Sequence, residues 1–470
     1  MRIKLSDHFT YSKLLRFVFP SIIMMIFTSI YGVVDGLFVS NFAGKTAFAS
    51  INLVMPFVMI LGGIGFMIGT GGTALVSKVL GEGNKEKANK IFTMMIIFTL
   101  LLGAVLSVVG VVSMPWVAEF LGATEAMMED CILYGRIVTG FTVAFMLQNV
   151  FQSFLIAAEK PKLGLLATVL AGCTNMVLDA VFIIVFKWGV AGAAIATGLS
   201  QCVGGIFPLI YFSAKNSSLL RLTKTKLEIK PILNACGNGS SELMSNISSS
   251  VVSMIYNFQL MKYVGEDGVS AYGVLMYVQF IFIAIYIGYS IGCAPITGYH
   301  FGAQNHGELK NMLRKSSFLS AVSGVILTVL AIMLSSPLAK LFVGYDEGLY
   351  ELTRHAFRLF AYSFLLAGFN IFTSSFFTAL NNGAVSAAIS FMRTLIFQTS
   401  SVLILPIFLG VDGIWWAITV AEVLPLSSPS SSYSPSARSI IICKEIYIRK
   451  AEIFQSGKSL LHFLFIKEPC

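Results

Sequence analysis

Gly81-Glu-Gly-Asn84 and Gly302-Ala-Gln-Asn305 stand 221 residues apart, and each sits between two long apolar runs. The same offset links Trp188-Gly-Val-Ala-Gly192, followed by Ala196 and Thr197, with Leu409-Gly-Val-Asp-Gly413, followed by Ala417 and Ile418. Phe154-Leu-Ile-Ala157 and Phe376-Phe-Thr-Ala379 agree at an offset larger by one. Shared small-residue bias among membrane helices can give one such match; three at one spacing mark an internal repeat.

Outward from these markers the chain is a succession of apolar segments. They run over 17–40, 50–79, 91–113, 128–157, 163–186, 189–213, 232–262, 268–299, 313–335, 352–380 and 384–409, with a short one at 411–426. A membrane crossing needs about 20 apolar residues, so eleven qualify and the twelfth is defective. Each repeat then holds six spans. An even number returns the chain to its starting side, so both halves enter from the same face. The predicted fold is an all-α polytopic membrane protein. Its twelve transmembrane helices form two parallel six-helix bundles, related by a pseudo-twofold along the membrane normal. The predicted divisions are a first lobe at 1–214, a linker at 215–231, a second lobe at 232–426 and an atypical tail at 427–470.

Composition agrees. Of the 470 residues 56% are hydrophobic and 12% charged, with a mean hydropathy of +0.81. A soluble domain carries about 25% charged residues, so soluble and disordered classes are excluded. Gly (41), Met (20) and Phe (39) are abundant, as packed membrane helices favour. The net charge of +9 is explained by the loops and predicts no nucleic-acid partner. The N-terminus and alternate loops (78–90, 160–162, 215–230, 310–315) carry 18 Lys and Arg; the opposite set has four, Lys45, Lys187, Lys262 and Lys340. Positive charge stays inside, which predicts a multi-pass protein of the cell membrane with a cytoplasmic N-terminus. The first span follows a basic start with no small-residue cleavage site and is read as retained. The seven cysteines form no CxxC and suggest neither a disulfide framework nor a zinc site.

Ionisable groups inside spans are costly and mark cavities. The first half has Asp35, Arg136 and Asp179; the second has Glu242 and Arg393, with Arg354 and Arg358 near a helix start. Asp35, in Tyr31-Gly-Val-Val-Asp-Gly36, suits a proton or cation site; the competing reading is a helix-end carboxylate reaching water. Asn175 and Asp179, four apart, share a helical face beside Thr174. They suit a proton relay or a hard cation with oxygen ligands, or else hydrogen bonds between helices. Thr197 could add an oxygen. Tyr31, Tyr134, Phe141, Phe145, Met146, Phe151 and Phe154, with Met55, Met59 and Met67, offer aromatic and soft surface suited to lipophilic cations. In a chain with 39 Phe most such residues are packing. Gly65-Phe-Met-Ile-Gly69 and Gly288-Tyr-Ser-Ile-Gly292 permit close helix approach. Pro20, Pro56, Pro208, Pro295 and Pro406 can kink their spans. No Walker A, HExxH, GxSxG or EF-hand pattern occurs, so neither an enzyme nor an ATP-driven pump is expected. Active transport would draw on an ion gradient.

The chain resembles the multidrug and toxic compound extrusion (MATE) family. The likeness is carried by Pro20 and Val34-Asp-Gly-Leu-Phe-Val39, by Gly44-Lys-Thr-Ala-Phe-Ala49 followed by Pro56, by Ser77-Lys-Val-Leu-Gly-Glu-Gly-Asn84, and by Trp188-Gly-Val-Ala-Gly-Ala-Ala194. It spans about residues 10–423 and is closest to the bacterial branch exporting cationic drugs and dyes. The resemblance implies two six-helix bundles, alternating access, and export exchanged for H+ or Na+, with no other cofactor. It implies cation or proton coupling at Asp35, Asn175, Asp179, Thr197 and Tyr134, any Na+ being bound there. A seventh-helix acid of some branches corresponds to Glu242. Small-molecule drugs and the bilayer are the implied partners, and a monomer is expected. Tyr31, Met55, Met59, Phe145 and Glu242 are the candidate cavity residues. A flippase for lipid-linked saccharides shares this architecture but should line its cavity with Arg or Lys; the first lobe offers Arg136 alone. A non-transporting scaffold would not need deep carboxylates.

The end of the chain departs from the family. Residues 189–213 are the template for the last span, yet the apolar run stops near Leu426 and Ser427-Ser-Pro-Ser-Ser-Ser-Tyr-Ser-Pro435 follows. Such a stretch cannot span hydrocarbon, because its backbone groups would go unpaired. A reading-frame change in the gene past about Val423 is the expected origin, with a natural regulatory tail the alternative. Reading the DNA one nucleotide out of frame past codon 423 separates them.

Overall fold

The computed structural model describes residues 3–427, and the atypical tail from 428 onward lies outside the described residues. The described chain is helical almost throughout. The first repeat comprises α1 (Tyr11–Phe38), α2 (Lys45–Gly81), α3 (Lys85–Phe120), α4 (Glu125–Gly140), α5 (Thr142–Ala157), α6 (Pro161–Asp179) and α7 (Gly189–Ser213). The second comprises α8 (Ile229–Tyr263), α9 (Glu266–Gly302), α10 (His306–Val343), α11 (Glu347–Phe360), α12 (Phe364–Ala379), α13 (Gly383–Phe391), α14 (Gln398–Leu409) and α15 (Val411–Ser427). Short π-helical stretches extend α1 over Val39–Ala43 and α6 over Ala180–Val185, and Met392–Phe397 joins α13 to α14.

These elements make twelve passes, six in each repeat. Among the described residues nine rods are long and apolar enough to cross a membrane, and α4 with α5, bent by 54°, makes a tenth. The other two are α8, whose 35 residues include Asn234, Asn238, Glu242 and Asn246, and α15, with 17 described residues. The α4–α5 bend has no proline. Hydroxyls serve the carbonyls there: Ser107 Oγ donates to Thr139 O (2.8 Å) and Gly140 O (2.9 Å), and Thr142 Oγ1 donates to Thr139 O (2.7 Å).

The repeat is visible in the backbone. Left-handed residues recur in pairs, Gly44 with Gly265, Gly83 with Gln304 and Gly189 with Gly410 at an offset of 221, and Glu159 with Asn381 at 222. Asn84 caps α3 by accepting from Lys87 N (3.0 Å), and Asn305 caps α10 by accepting from Glu308 N (3.1 Å). The two asparagines of the sequence markers are thus equivalent helix caps, each satisfying an otherwise orphaned amide.

The described chain falls into two compact units. The first gathers residues 1–251, 276–309 and 371–391. Its core packs Phe92 against Phe154 and Phe212, both at 4.9 Å between ring centroids, among Ile68, Met95 and Phe151. Within this unit α2 meets the backbone of α8 where Gly71 and Gly239 face one another, and α9 meets α1 where Gly292 faces Val18. These two approaches are equivalent under the 221-residue offset. Gly81 and Gly302, equivalent to each other, each lie against the backbone of the other's helix. A β-carbon at Gly71, Gly81, Gly239 or Gly302 would collide with main-chain atoms, so glycine sets how near these helices come. The second unit gathers 252–275, 310–370 and 392 onward. There Tyr256 stacks on Tyr272 (4.9 Å), and Thr328 Oγ1 donates to Ala361 O (3.3 Å).

An N-terminal strap completes the first unit. Leu5 and Phe9 are fully buried. Leu5 N donates to Glu159 Oε1 (2.8 Å), Phe9 N donates to Glu308 Oε1 (2.9 Å), and His8 Nδ1 meets Glu308 Oε2 (2.7 Å). Asp7 is gripped by Lys13 Nζ (2.8 Å) and Lys4 N (3.1 Å). Burial pulls the Asp7 carboxyl up, and these two partners more than offset it, leaving it below its ordinary value.

Candidate functional site

Tyr31 marks the level at which α1 and α6 close on each other. Gly172 on α6 has no side chain, and a β-carbon there would run into the rings of Phe27 and Tyr31. The two helices run parallel, so one to two turns further on their acidic residues meet. Asp35 lies four residues beyond Tyr31, and Asp179 seven beyond Gly172. Both stand where regular α-helix ends: Asp179 is the last residue before the π-helical Ala180–Val185, and the Asp35 carbonyl accepts from Val39 N at the start of the other π-helical stretch. Such π-turns recur at functional sites.

The Asp35 and Asp179 carboxyls face each other within hydrogen-bond reach. Asp179 is fully buried, and neither of its oxygens receives a hydrogen bond from a protein donor; Asp35 Oδ1 likewise receives none. Two ionised carboxylates in that position would repel in a medium of low polarity. Such a pair is relieved by one or two protons or by a cation between the carboxyls.

Three other sequence candidates join it. Tyr134 is buried at 1% exposure, close enough to feel both carboxyls, with its hydroxyl beside the Thr197 side chain. Thr197 Oγ1 has no satisfied hydrogen bond, so it is not tied to its own backbone as membrane threonines often are. Asn175, one turn before Asp179, is buried with Oδ1 unpartnered. Thr174 is different: its Oγ1 donates to Leu170 O (2.8 Å) and is spent there. The site therefore offers oxygens from Asp35, Asp179, Asn175, Thr197 and Tyr134, and few donors.

The cavity candidates divide. Tyr31 belongs to the cluster: it senses the Asp35 charge, and its hydroxyl reaches the Gln148 side chain. Gln148, buried on α5, is a residue the sequence did not point to, because no carboxylate stands near it in the chain; a lone amide in an apolar run was the available signal. Phe145 lies over Gly62 of α2 and is packing. Met55 joins a buried core with Val54, Val58 and Tyr134, whereas Met59 is 44% exposed. Glu242 is half-buried on α8, and its carbonyl accepts from Asn246 Nδ2 (2.8 Å). Arg136 is exposed, its Nε donating to Val111 O (3.3 Å).

The second unit holds an ion pair whose carboxylate is buried and whose guanidinium is half-buried. Arg393 Nη1 meets Glu422 Oε1 (3.0 Å), and Asn370 Nδ2 donates to Glu422 Oε2 (2.6 Å) and to Glu422 O (3.0 Å). Glu422 is 7% exposed. It stands near the end of the last apolar run, where a carboxylate reads as a span boundary.

A family model described as MatE matches residues 20–181 and 243–401, most of both repeats. The chain belongs to the MATE family. Curated relatives include the multidrug export protein MepA of Staphylococcus haemolyticus (strain JCSC1435), 23% identical over 420 residues, 88% of this chain and 91% of the relative. MepA of Staphylococcus aureus (strain N315) is 24% identical over 422 residues with the same coverage. Among solved structures, a crystal structure of MATE in complex with MaL6 superposes with a TM-score of 0.85 at 23% identity, covering 89% of this chain and 94% of that one. A MOP superfamily transporter from Pyrococcus furiosus, described as having a binding pocket of reverse polarity that suggests a different function, gives 0.84 at 22% identity, covering 96% and 98%. These likenesses show the MATE fold, and the names are those of transporters, not enzymes.

Proposed function

We propose that this MATE protein is a secondary active multidrug exporter. It moves lipophilic, mostly cationic small molecules out across the cell membrane by alternating access, in exchange for H+ or Na+. The N-terminus and the basic loops face the cytoplasm, and the working unit is a monomer. The reading rests on one observation: the half-buried Asp35 faces the fully buried Asp179, and neither Asp179 oxygen nor Asp35 Oδ1 receives a hydrogen bond from a protein donor. Such a pair takes up a proton or Na+ when exposed to one side and must lose it before it can repeat the cycle. Asn175, Thr197 and Tyr134 supply the further oxygens that a hard cation prefers. The curated relatives named as multidrug export proteins support the substrate class.

The flippase reading gains nothing from the structure. Arg136 is exposed and bonded to a backbone carbonyl, and the first-repeat cluster is acidic.

Purified protein in vesicles carrying a pH or Na+ gradient tests the proposal. Adding a lipophilic cationic dye should drive counter-flow of one of the two ions, and dissipating that gradient should stop dye movement. Dye movement indifferent to both gradients would remove the proposal.

A further inference from the structure

A cavity lies at the basic ends of the helices in the first unit, and neither Asp35 nor Asp179 lines it. Its volume is about 350 Å³, and Lys4, Lys85, Glu159, Ser217, Arg221 and Tyr299 line it. Three cations thus converge from separate segments: Lys4 from the N-terminal strap, Lys85 from the first turn of α3, and Arg221 from the connector between α7 and α8. A fourth stands at the rim, where Lys160 Nζ donates to Ser217 Oγ (3.0 Å). Against these stands one carboxylate, Glu159, whose Oε1 already accepts from Leu5 N.

The arrangement is fixed on several sides. Arg221 is held at its main chain, N donating to Asn89 Oδ1 (3.0 Å), and at its guanidinium, Nη2 donating to Asn216 O (2.9 Å). The strap that carries Lys4 is pinned by the buried Leu5 and Phe9 and by Glu159 and Glu308. The 36-residue α3 directs its N-terminus to this region, adding partial positive charge. Like charges gathered round a concave space focus a positive potential into it. A cavity of this size belongs to the small-molecule range, larger than one ordered water needs.

We propose that this cleft binds a phosphate-bearing anion, with Arg221 and Lys85 as its principal contacts and Lys4 closing over it from the strap. Phosphate suits the set because guanidinium and ammonium donors match its oxygens in charge and geometry. The anion comes either from the headgroup of an anionic phospholipid at the membrane surface or from soluble phosphate. Binding braces the strap against the connector, since each supplies one of the cations. The inference is independent of the transported substrate and of the coupling ion.

The test uses the full chain in neutral detergent at constant ionic strength, with the thermal unfolding midpoint as readout. The probes are phosphatidylglycerol in mixed micelles, phosphatidylcholine as the net-neutral control, and inorganic phosphate. A saturable rise with phosphatidylglycerol alone assigns the headgroup; a rise with inorganic phosphate as well assigns soluble phosphate. Lys85→Gln with Arg221→Gln should raise the half-saturating concentration about tenfold or more, and Lys340→Gln, in the opposite loop set, should leave it unchanged. If the double variant does not fold, Lys4→Gln alone should weaken binding about threefold. No saturable rise with either phosphate probe, a rise equal to that with phosphatidylcholine, or wild-type saturation in the cleft variants overturns the proposal.

Discussion

The two repeats place polar groups at related positions, not all of them equivalent, and use them in opposite ways. Under the 221-residue offset Asp35 corresponds to Tyr256, Asp179 to Ser400, Gly172 to Arg393 and Gln201 to Glu422, and Gln148 corresponds to Asn370 at 222. In the first repeat two carboxyls face each other without a protein donor. In the second a single carboxylate, Glu422, receives Arg393 on one oxygen and Asn370 on the other. At the position of Asp35 the second repeat has a tyrosine stacked on another ring, Tyr272. Burial of a carboxylate alone therefore says little about its role. A carboxylate whose partners are complete is part of the framework; one left short of partners is available for an ion.

That contrast can be broken by substitution. The largest effect should come from Asp35→Asn, which mimics the protonated state and cannot cycle. Efflux of a cationic dye, at matched membrane expression, should fall to that of cells lacking the protein. Near-normal efflux would show that the unpartnered pair is not the coupling site. Arg393→Gln should act on stability. It leaves Glu422 buried without its cation, at a cost of about 3–5 kcal/mol, read as a lower unfolding midpoint in detergent. Arg393→Met combined with Glu422→Leu should recover most of that loss, because an apolar pair of similar volume removes both charges. If the double change is as damaging as the single one, the pair is more than framework.

A smaller effect sharpens the comparison at the helix contacts. Gly71→Ala and Gly239→Ala each push a methyl group into the facing backbone and should each cost about 1–3 kcal/mol. Combined, they should cost less than their sum, since one displacement of α2 from α8 relieves both. Smallest of all is the increment from Asp179→Asn added to Asp35→Asn. If the two carboxyls hold one ion between them, the double variant should transport no less than either single one. Separate partial losses that multiply would assign them separate tasks.

Much of the fold was legible because membrane helices announce themselves by length and apolarity. The predicted segments match the helical passes closely, and the Gly-x-x-Asn markers proved to be equivalent turns and caps at Asn84 and Asn305. The α4–α5 bend was not legible: it occurs without proline and rests on hydroxyls from residues as distant as Ser107. The π-helical stretches beyond Asp35 and Asp179 left no trace in composition either. Asp35, Asn175 and Asp179 stood out in the sequence because charged and oxygen-bearing side chains are rare in apolar runs; Thr197 and Tyr134 were grouped with them by the resemblance, and the structure places all five in one cluster. Gln148 and Glu422 were not legible: the first is an uncharged amide, and the second stands near the end of the short last apolar run. Aromatic and methionine patterns single out little in a chain rich in both residue types: Phe145 packs on Gly62, and Met59 is 44% exposed.

The N-terminal strap sets a timetable for biosynthesis. Its first nine residues are among the earliest made, yet His8 and Phe9 find their partner in Glu308, some 300 residues later. At about 5–20 residues per second the ribosome takes about 15–60 s to cover that distance. Throughout that interval Leu5 and Phe9, fully buried in the finished protein, have no finished seat. The strap is thus among the last parts to settle, and the growing protein must carry an unprotected apolar segment while α1 to α9, eight passes, enter the membrane.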